Sequence, residues 1–191
     1  QGRREFILKS AKAASLGSLA LGTPLMGVAQ SALASGSKAP ASTRPKEIEA
    51  FGVTKKSGPF QSLKIKRRAL TEHDVEIEIL YAGICHSDIH TVNEDWGGNQ
   101  YPVVPGHEIV GKVIAVGPEV KSHKVGDHVG VGCMVDSCAE CVNCKNDREQ
   151  NCLNGTTFTY GSKDKHTNGV TYGGYSRNVI VKDHFCVSIP D

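Results

Sequence analysis

The sequence predicts a mainly β fold, a partly closed β-barrel carrying a small cysteine-rich metal lobe. Three observations support this. Several short segments alternate apolar and polar residues with the period of two that a half-buried strand requires. Glycine-rich turns separate these segments at modest spacing, with 21 glycines in the chain. Residues 87–93 alone read as a short helix, and no strand is followed by G-x-G-x-x-G, so the phosphate-binding turn of a Rossmann domain is absent from this sequence.

In chain order, residues 1–34 form the first element, which reads apart from the barrel. Arg3 and Arg4 are followed by Phe6, Ile7, Leu8 and Lys9, then by an Ala-, Gly- and Ser-rich apolar stretch, and finally by Ala32-Leu33-Ala34. A positive start, an apolar centre and a small-residue cleavage site make a secretory signal. The arginine pair directs it to the twin-arginine route, with cleavage after Ala34 and a periplasmic destination. Gly17, Gly22, Pro24 and Gly27 interrupt the apolar stretch, so no stable membrane anchor is expected. Residues 35–50, opening with Pro, Ser and Ala, are expected as a linker. The folded domain is then expected over 51–191, with strands at 62–69, 74–81, 109–116, 127–132 and 174–182. Composition fits a globular domain, at 39% apolar and 22% charged residues. The net charge of +2 is scattered, which argues against a nucleic-acid partner. The cluster KIKRR at 64–68 alternates and reads as the solvated face of a strand.

The metal lobe rests on Cys138, Cys141, Cys144 and Cys152, a C-x2-C-x2-C-x7-C run. Thiolates at such spacing turn back onto one tetrahedral ion, and zinc in a closed four-thiolate site is the usual occupant. An iron–sulfur cluster and a pair of disulfides are the competing readings. The common cluster run closes with three residues and a proline, however, and tight spacing favours shared coordination over pairing. Export of a chain with seven cysteines into an oxidising compartment fits zinc loading before translocation.

A second constellation joins Cys85, His86, Ser87, Asp88 and His90 to His107 and Glu108 further on. A thiolate and an imidazole from separate segments, with fewer than four protein ligands, describe a catalytic rather than a structural zinc. Asp88 is a candidate to accept the second N–H of the His107 imidazole. Ser87 and His90 could pass a proton between a bound alcohol and solvent. Taken singly, each has a plainer reading: a buried small thiol, a core histidine, a helix N-cap.

The motifs GICHSDIH, GHEIVGKVIAVG and DWGGNQYPVVPGHE, together with the four-cysteine lobe, resemble the catalytic, GroES-like domain of the zinc-dependent medium-chain alcohol dehydrogenases. The similarity is greatest to the cinnamyl-alcohol-dehydrogenase-like aldehyde reductases and spans residues 51–191. It implies Cys85, His107 and Glu108 at a catalytic zinc and Cys138, Cys141, Cys144 and Cys152 at a structural one. It further implies Ser87 and His90 as a proton relay, His86 near the cofactor phosphates and Trp96 on the substrate-pocket wall. Interconversion of primary alcohols and aldehydes with NADP or NAD follows from the resemblance, with two zinc ions per chain. The same resemblance admits a homodimer for a full-length form. The family's third catalytic ligand, a cysteine, its Rossmann domain and a returning segment would lie beyond Asp191, so a fragment inactive alone is expected. A non-catalytic zinc-binding module of the same fold is the alternative. Cys186 reads as a core residue and Cys133 as packing beside the metal lobe.

Overall fold

The computed structural model describes residues 45–190. The segment read as an export signal, residues 1–34, and positions 35–44 of the expected linker lie outside the described residues. Within the remainder of that linker, residues 46–50 are strand. β1 (Lys46–Gly52) pairs antiparallel with β2 (Gln61–Arg67) over its whole length, Lys46 opposite Arg67 and Gly52 opposite Gln61. The signal for β1 was present in its alternation: Ile48 and Ala50 turn inward while Glu47 and Glu49 face solvent.

The main body is a five-stranded antiparallel sheet in the order β8-β3-β4-β5-β9. Its strands are β3 (Asp74–Ala82), β4 (Ile109–Val116), β5 (His128–Val131), β8 (Asn178–Lys182) and β9 (Cys186–Ser188). Between them fall β6 (Met134–Asp136) and β7 (Thr157–Phe158), a separate short pair. Register shifts in the β3–β4 pairing near Glu76 and Ile79 bend the sheet, as bulges do, and help it curl into a partly closed barrel. Val75, Ile77, Val113, Val129, Val179 and Val181 fill its interior, and Cys186 joins them as expected. Burial pushes the Cys186 thiol up to about 12, so it is an inert packing group. Strands β3 and β4 approach so closely at Gly111 that a β-carbon there would collide with the Glu78 carbonyl and the Ile77 side chain.

Two expectations are corrected here. Position 174 does not begin a strand: residues 174–177 form a loop, and β8 starts only at Asn178. The KIKRR cluster is not wholly solvated either. Lys64 and Lys66 face water, but Arg67 shares the inner side of β2 with Ile65 and is 7% exposed. Its guanidinium donates to the carbonyls of Asn178 (3.0 Å), Tyr172 (2.6 Å) and Gly173 (3.0 Å) and to Ser176 Oγ (2.8 Å). Burial pushes this group down to about 10, which leaves it charged at neutral pH. Arg67 thereby ties β2 to the loop that leads into β8.

One α-helix, α1 (His86–Val92), follows β3. Val92 packs on Val53 and Val103, which anchors the helix to the strand-rich body. Among the described residues, no helix is long and apolar enough to cross a membrane.

Candidate functional site

The sheet itself brings the first ligand set together. β3 ends at Ala82, paired with Ile109 at the start of β4, and Gly83 N–H donates to the Glu108 carbonyl at 2.8 Å. The loop leaving β3 carries Cys85, and the loop entering β4 carries His107 and Glu108. Two segments more than twenty positions apart in sequence therefore meet at one sheet edge. One donor atom from each of Cys85, His107 and Glu108 lies within 4.8 Å of the others, with Cys85 and His107 half-buried and Glu108 exposed. A β-carbon on Gly83 would meet the Glu108 carboxylate, which would have to move aside, so glycine at this position lets the two loops approach with that side chain as placed. A soft thiolate, an imidazole and a carboxylate fit a zinc ion, with one protein donor fewer than a closed structural site supplies.

Helix α1 presents the neighbouring groups. Ser87 Oγ lies 3.6 Å from Cys85 Sγ. His90 follows by one helical turn, on the same side as Ser87. No hydrogen bond joins Ser87 to His90 among the described residues; instead His90 Nδ1 pairs with Asp95 Oδ2 at 2.7 Å. His90 also lies between two rings, His86 at 4.7 Å and Trp96 at 4.9 Å between centroids. Asp95 was not foreseen; it lies just past the end of α1, where helical spacing no longer points to His90.

Asp88 has partners other than the one expected. It sits in the first turn of α1, where a side chain reaches back to the residue before the helix. Its Oδ2 accepts the Cys85 N–H at 2.9 Å and the Tyr175 hydroxyl at 2.8 Å, while Oδ1 accepts the Gly106 N–H at 3.0 Å. No hydrogen bond joins it to the His107 ring among the described residues. Asp88 therefore holds the backbones of the two ligand loops rather than the imidazole. The His107 ring is covered by Tyr160, stacked at 5.5 Å with an interplanar angle of 15°. Burial and the nearby Asp88 carboxylate hold the Tyr160 hydroxyl well above the ordinary tyrosine value.

A cavity of about 340 Å³ opens beside these groups, lined by Ser87, Thr91, Trp96, His107, Phe158 and Tyr160, with Cys133 on its wall. Trp96, on that lining, is 68% exposed. Cys133, expected to pack beside the metal lobe, is exposed and lines this cavity. Tyr160 and Phe158 carry no local signal, because the short strand β7 after the metal lobe and the bend that follows it deliver them.

In the lobe, one sulfur from each of Cys138, Cys141, Cys144 and Cys152 lies within 4.8 Å of the others. The Cys138–Cys144 and Cys141–Cys144 sulfurs are 3.8 and 3.5 Å apart. A tetrahedral ion with metal–sulfur bonds of about 2.3 Å requires edges of about 3.8 Å, whereas a disulfide requires about 2.05 Å. All four cysteines are free. Cys141 N–H and Cys138 N–H point at the sulfurs of Cys138 and Cys152, at 3.4 and 3.5 Å, the arrangement that stabilises thiolates. Hydrogen bonds from the Glu140 and Cys141 amides draw Cys138 down to about 6. The donor set and its spacing fit zinc.

The alcohol dehydrogenase GroES-like domain matches residues 71–191. Among curated proteins, the probable formaldehyde dehydrogenase AdhA of Bacillus subtilis is 50% identical over 145 residues, 76% of this chain and 41% of that protein. The NADP-dependent alcohol dehydrogenase C 1 of Mycolicibacterium smegmatis is likewise 50% identical over 145 residues, 75% of this chain and 41% of its own length. Among solved structures, the CAD from Helicobacter pylori complexed with NADP(H) superposes with a TM-score of 0.73 at 42% identity, covering 76% of this chain and 42% of that one. The chain spans about two fifths of the length of the relatives it matches.

Proposed function

This chain belongs to the zinc-dependent medium-chain alcohol dehydrogenases through its GroES-like domain, and from that premise we propose that it is the catalytic portion of an enzyme interconverting primary alcohols and aldehydes with NADP or NAD. One observation carries the reading: Cys85, His107 and Glu108 converge, and His107 among them lines a cavity that also holds Ser87 and Trp96. Zinc held by Cys85 and His107, with Glu108 in reach, would supply Lewis acidity toward the substrate oxygen. A nicotinamide cofactor would supply the hydride chemistry, and His86 is this chain's candidate contact to it. The names of the Mycolicibacterium relative and the Helicobacter complex support NADP. The four-cysteine lobe would hold a second, structural zinc, which adds folding energy to a segment with few apolar residues.

The chain's own residues do the positioning and the proton handling. Trp96, Phe158 and Tyr160 make the cavity apolar, which favours an apolar or aromatic aldehyde and limits water beside the reacting carbon. Ser87, beside Cys85, holds the proton of the substrate hydroxyl. His90 receives that proton through a bridging hydroxyl or water, since the two side chains are not directly bonded. Asp95, on Nδ1, fixes the His90 tautomer and leaves Nε2 free to accept. Residues 1–34 carry the features of a twin-arginine signal, which supports export to the periplasm; N-terminal sequencing of the mature protein tests that assignment.

The decisive experiment is steady-state reduction of a panel of aldehydes by the zinc-loaded full-length protein with NADPH and NADH, alongside Ser87→Ala. The expected result is turnover that falls about a hundredfold in Ser87→Ala at unchanged zinc content. Absence of nicotinamide-dependent reduction in the parent overturns the proposal. Loss of zinc in the variant would assign Ser87 to the metal site instead.

A further inference from the structure

We propose that Tyr175 is a positioning residue for the Cys85–His107 metal site, its hydroxyl acting through Asp88 to hold the two ligand loops at a fixed separation. The inference rests on the catalytic-metal reading above and goes beyond it, because Tyr175 touches neither ligand.

Asp88 is 3% exposed, and a buried carboxylate is tolerated only when donors saturate it. Two of its donors are backbone amides, Cys85 N–H and Gly106 N–H, one from each ligand loop. The third is the Tyr175 hydroxyl at 2.8 Å, which also lies 3.3 Å from the Gly83 carbonyl. The carboxylate can bridge the loops only while it keeps one orientation. The Tyr160 hydroxyl also interacts with it, but Tyr175, at 2.8 Å, is the close side-chain donor that fixes it. The remaining contacts of Tyr175 fit the same role. Its N–H donates to the Pro105 carbonyl at 3.0 Å, and its carbonyl accepts the Phe51 N–H at 2.7 Å. Its ring lies so close beneath Gly106 that a β-carbon there would strike it at 2.9 Å, and Phe60 meets the other side edge-on at 6.2 Å. The tyrosine is thus locked between the loop that carries His107 and strand β1, with its hydroxyl directed at Asp88. Groups that orient metal ligands from one bond further out alter metal affinity by about 10–100-fold when removed.

Tyr175→Phe keeps the ring and its packing and removes only the hydroxyl. In the full-length protein loaded with zinc, release to a chromophoric chelator is followed for the parent, Tyr175→Phe, Asp88→Asn and the double variant. Cys85→Ser identifies which ion belongs to this site. Tyr175→Phe should release the Cys85-site ion about tenfold faster while the four-cysteine ion leaves at the parental rate. The double variant should release it no faster than Asp88→Asn, because the two side chains act as one unit. Release within twofold of the parent, or full additivity in the double variant, overturns the inference alone. A parent whose metal content is unchanged by Cys85→Ser overturns the catalytic-metal reading, and this inference with it.

Discussion

Replacing Arg67 with methionine tests how the loop over 172–177 and the start of β8 are held. Methionine preserves the length and apolar bulk of the stem and removes the charge. The parent side chain donates four hydrogen bonds of 2.6–3.0 Å, and bonds from a charged donor contribute about 1.5–3 kcal/mol each. Two corrections lower the sum. Burying the guanidinium costs several kcal/mol, which the variant recovers. Ser176 Oγ, with its one proton, donates to Gly173 O at 2.7 Å with Asn178 O at 3.2 Å as the alternative, so one of those two carbonyls keeps a donor. The Tyr172 carbonyl is the main loss, together with the tie from β2 to the loop. A net destabilisation of about 3 kcal/mol is expected. For a protein of this size that lowers Tm by roughly 6–12 °C. Urea and thermal unfolding of the metal-loaded protein measure it, with Arg67→Lys expected to lose about half as much, since an ammonium cannot reproduce the planar fork. A loss below about 1 kcal/mol for Arg67→Met would refute the reasoning and show that strand pairing alone holds the loop.

Three further outcomes are expected. Burial raises the Asp74 carboxyl, but hydrogen bonds and charge from Arg68, with Thr71, outweigh it and hold the group at about 2. The folded value lies below the unfolded one, so this pair contributes about 2 kcal/mol above pH 4, lost as pH falls from about 4 to 2. The urea midpoint of Asp74→Asn should therefore be lower than the parent's at pH 6 and converge on it near pH 2; parallel curves would refute the assignment. Cys144→Ser should lose one equivalent of zinc and open residues 138–152 to proteolysis, read by metal analysis and mass mapping. Asp95→Asn should lower kcat about tenfold with KM little changed, because the carboxylate orients His90 rather than binding substrate; an equal change in KM would place Asp95 in substrate binding.

Much of this protein is legible in its sequence because the signals are local. A period of two marks β2 and β3, and bounding turn residues mark β4 and β5, within a residue or two of their observed ends. The four-cysteine lobe is legible because its ligands lie within fifteen positions, so spacing alone restricts their geometry. The same holds for Cys85, Ser87 and His90, which one helix and its preceding residue present together. β1 escaped notice because a short alternating strand directly follows a Pro- and Ser-containing stretch. Tyr160, Tyr175, Cys133 and Arg67 could not be assigned from their neighbours, since each acts on a segment distant in the chain.

By itself, then, the sequence determined the β-rich class and the clustering of the four lobe cysteines, which rest on residue type and short-range spacing. It offered Cys85, His107 and Glu108 as a second candidate donor set through a family resemblance. Tertiary structure alone decided that Asp88 bridges two loops instead of orienting His107, that Tyr160 covers that imidazole and that a buried arginine ties β2 to the loop before β8. Those facts depend on which strands pair and where the paired ends fall. An antiparallel register brings residues far apart in sequence to hydrogen-bonding distance, and no pattern within a single segment encodes that distance.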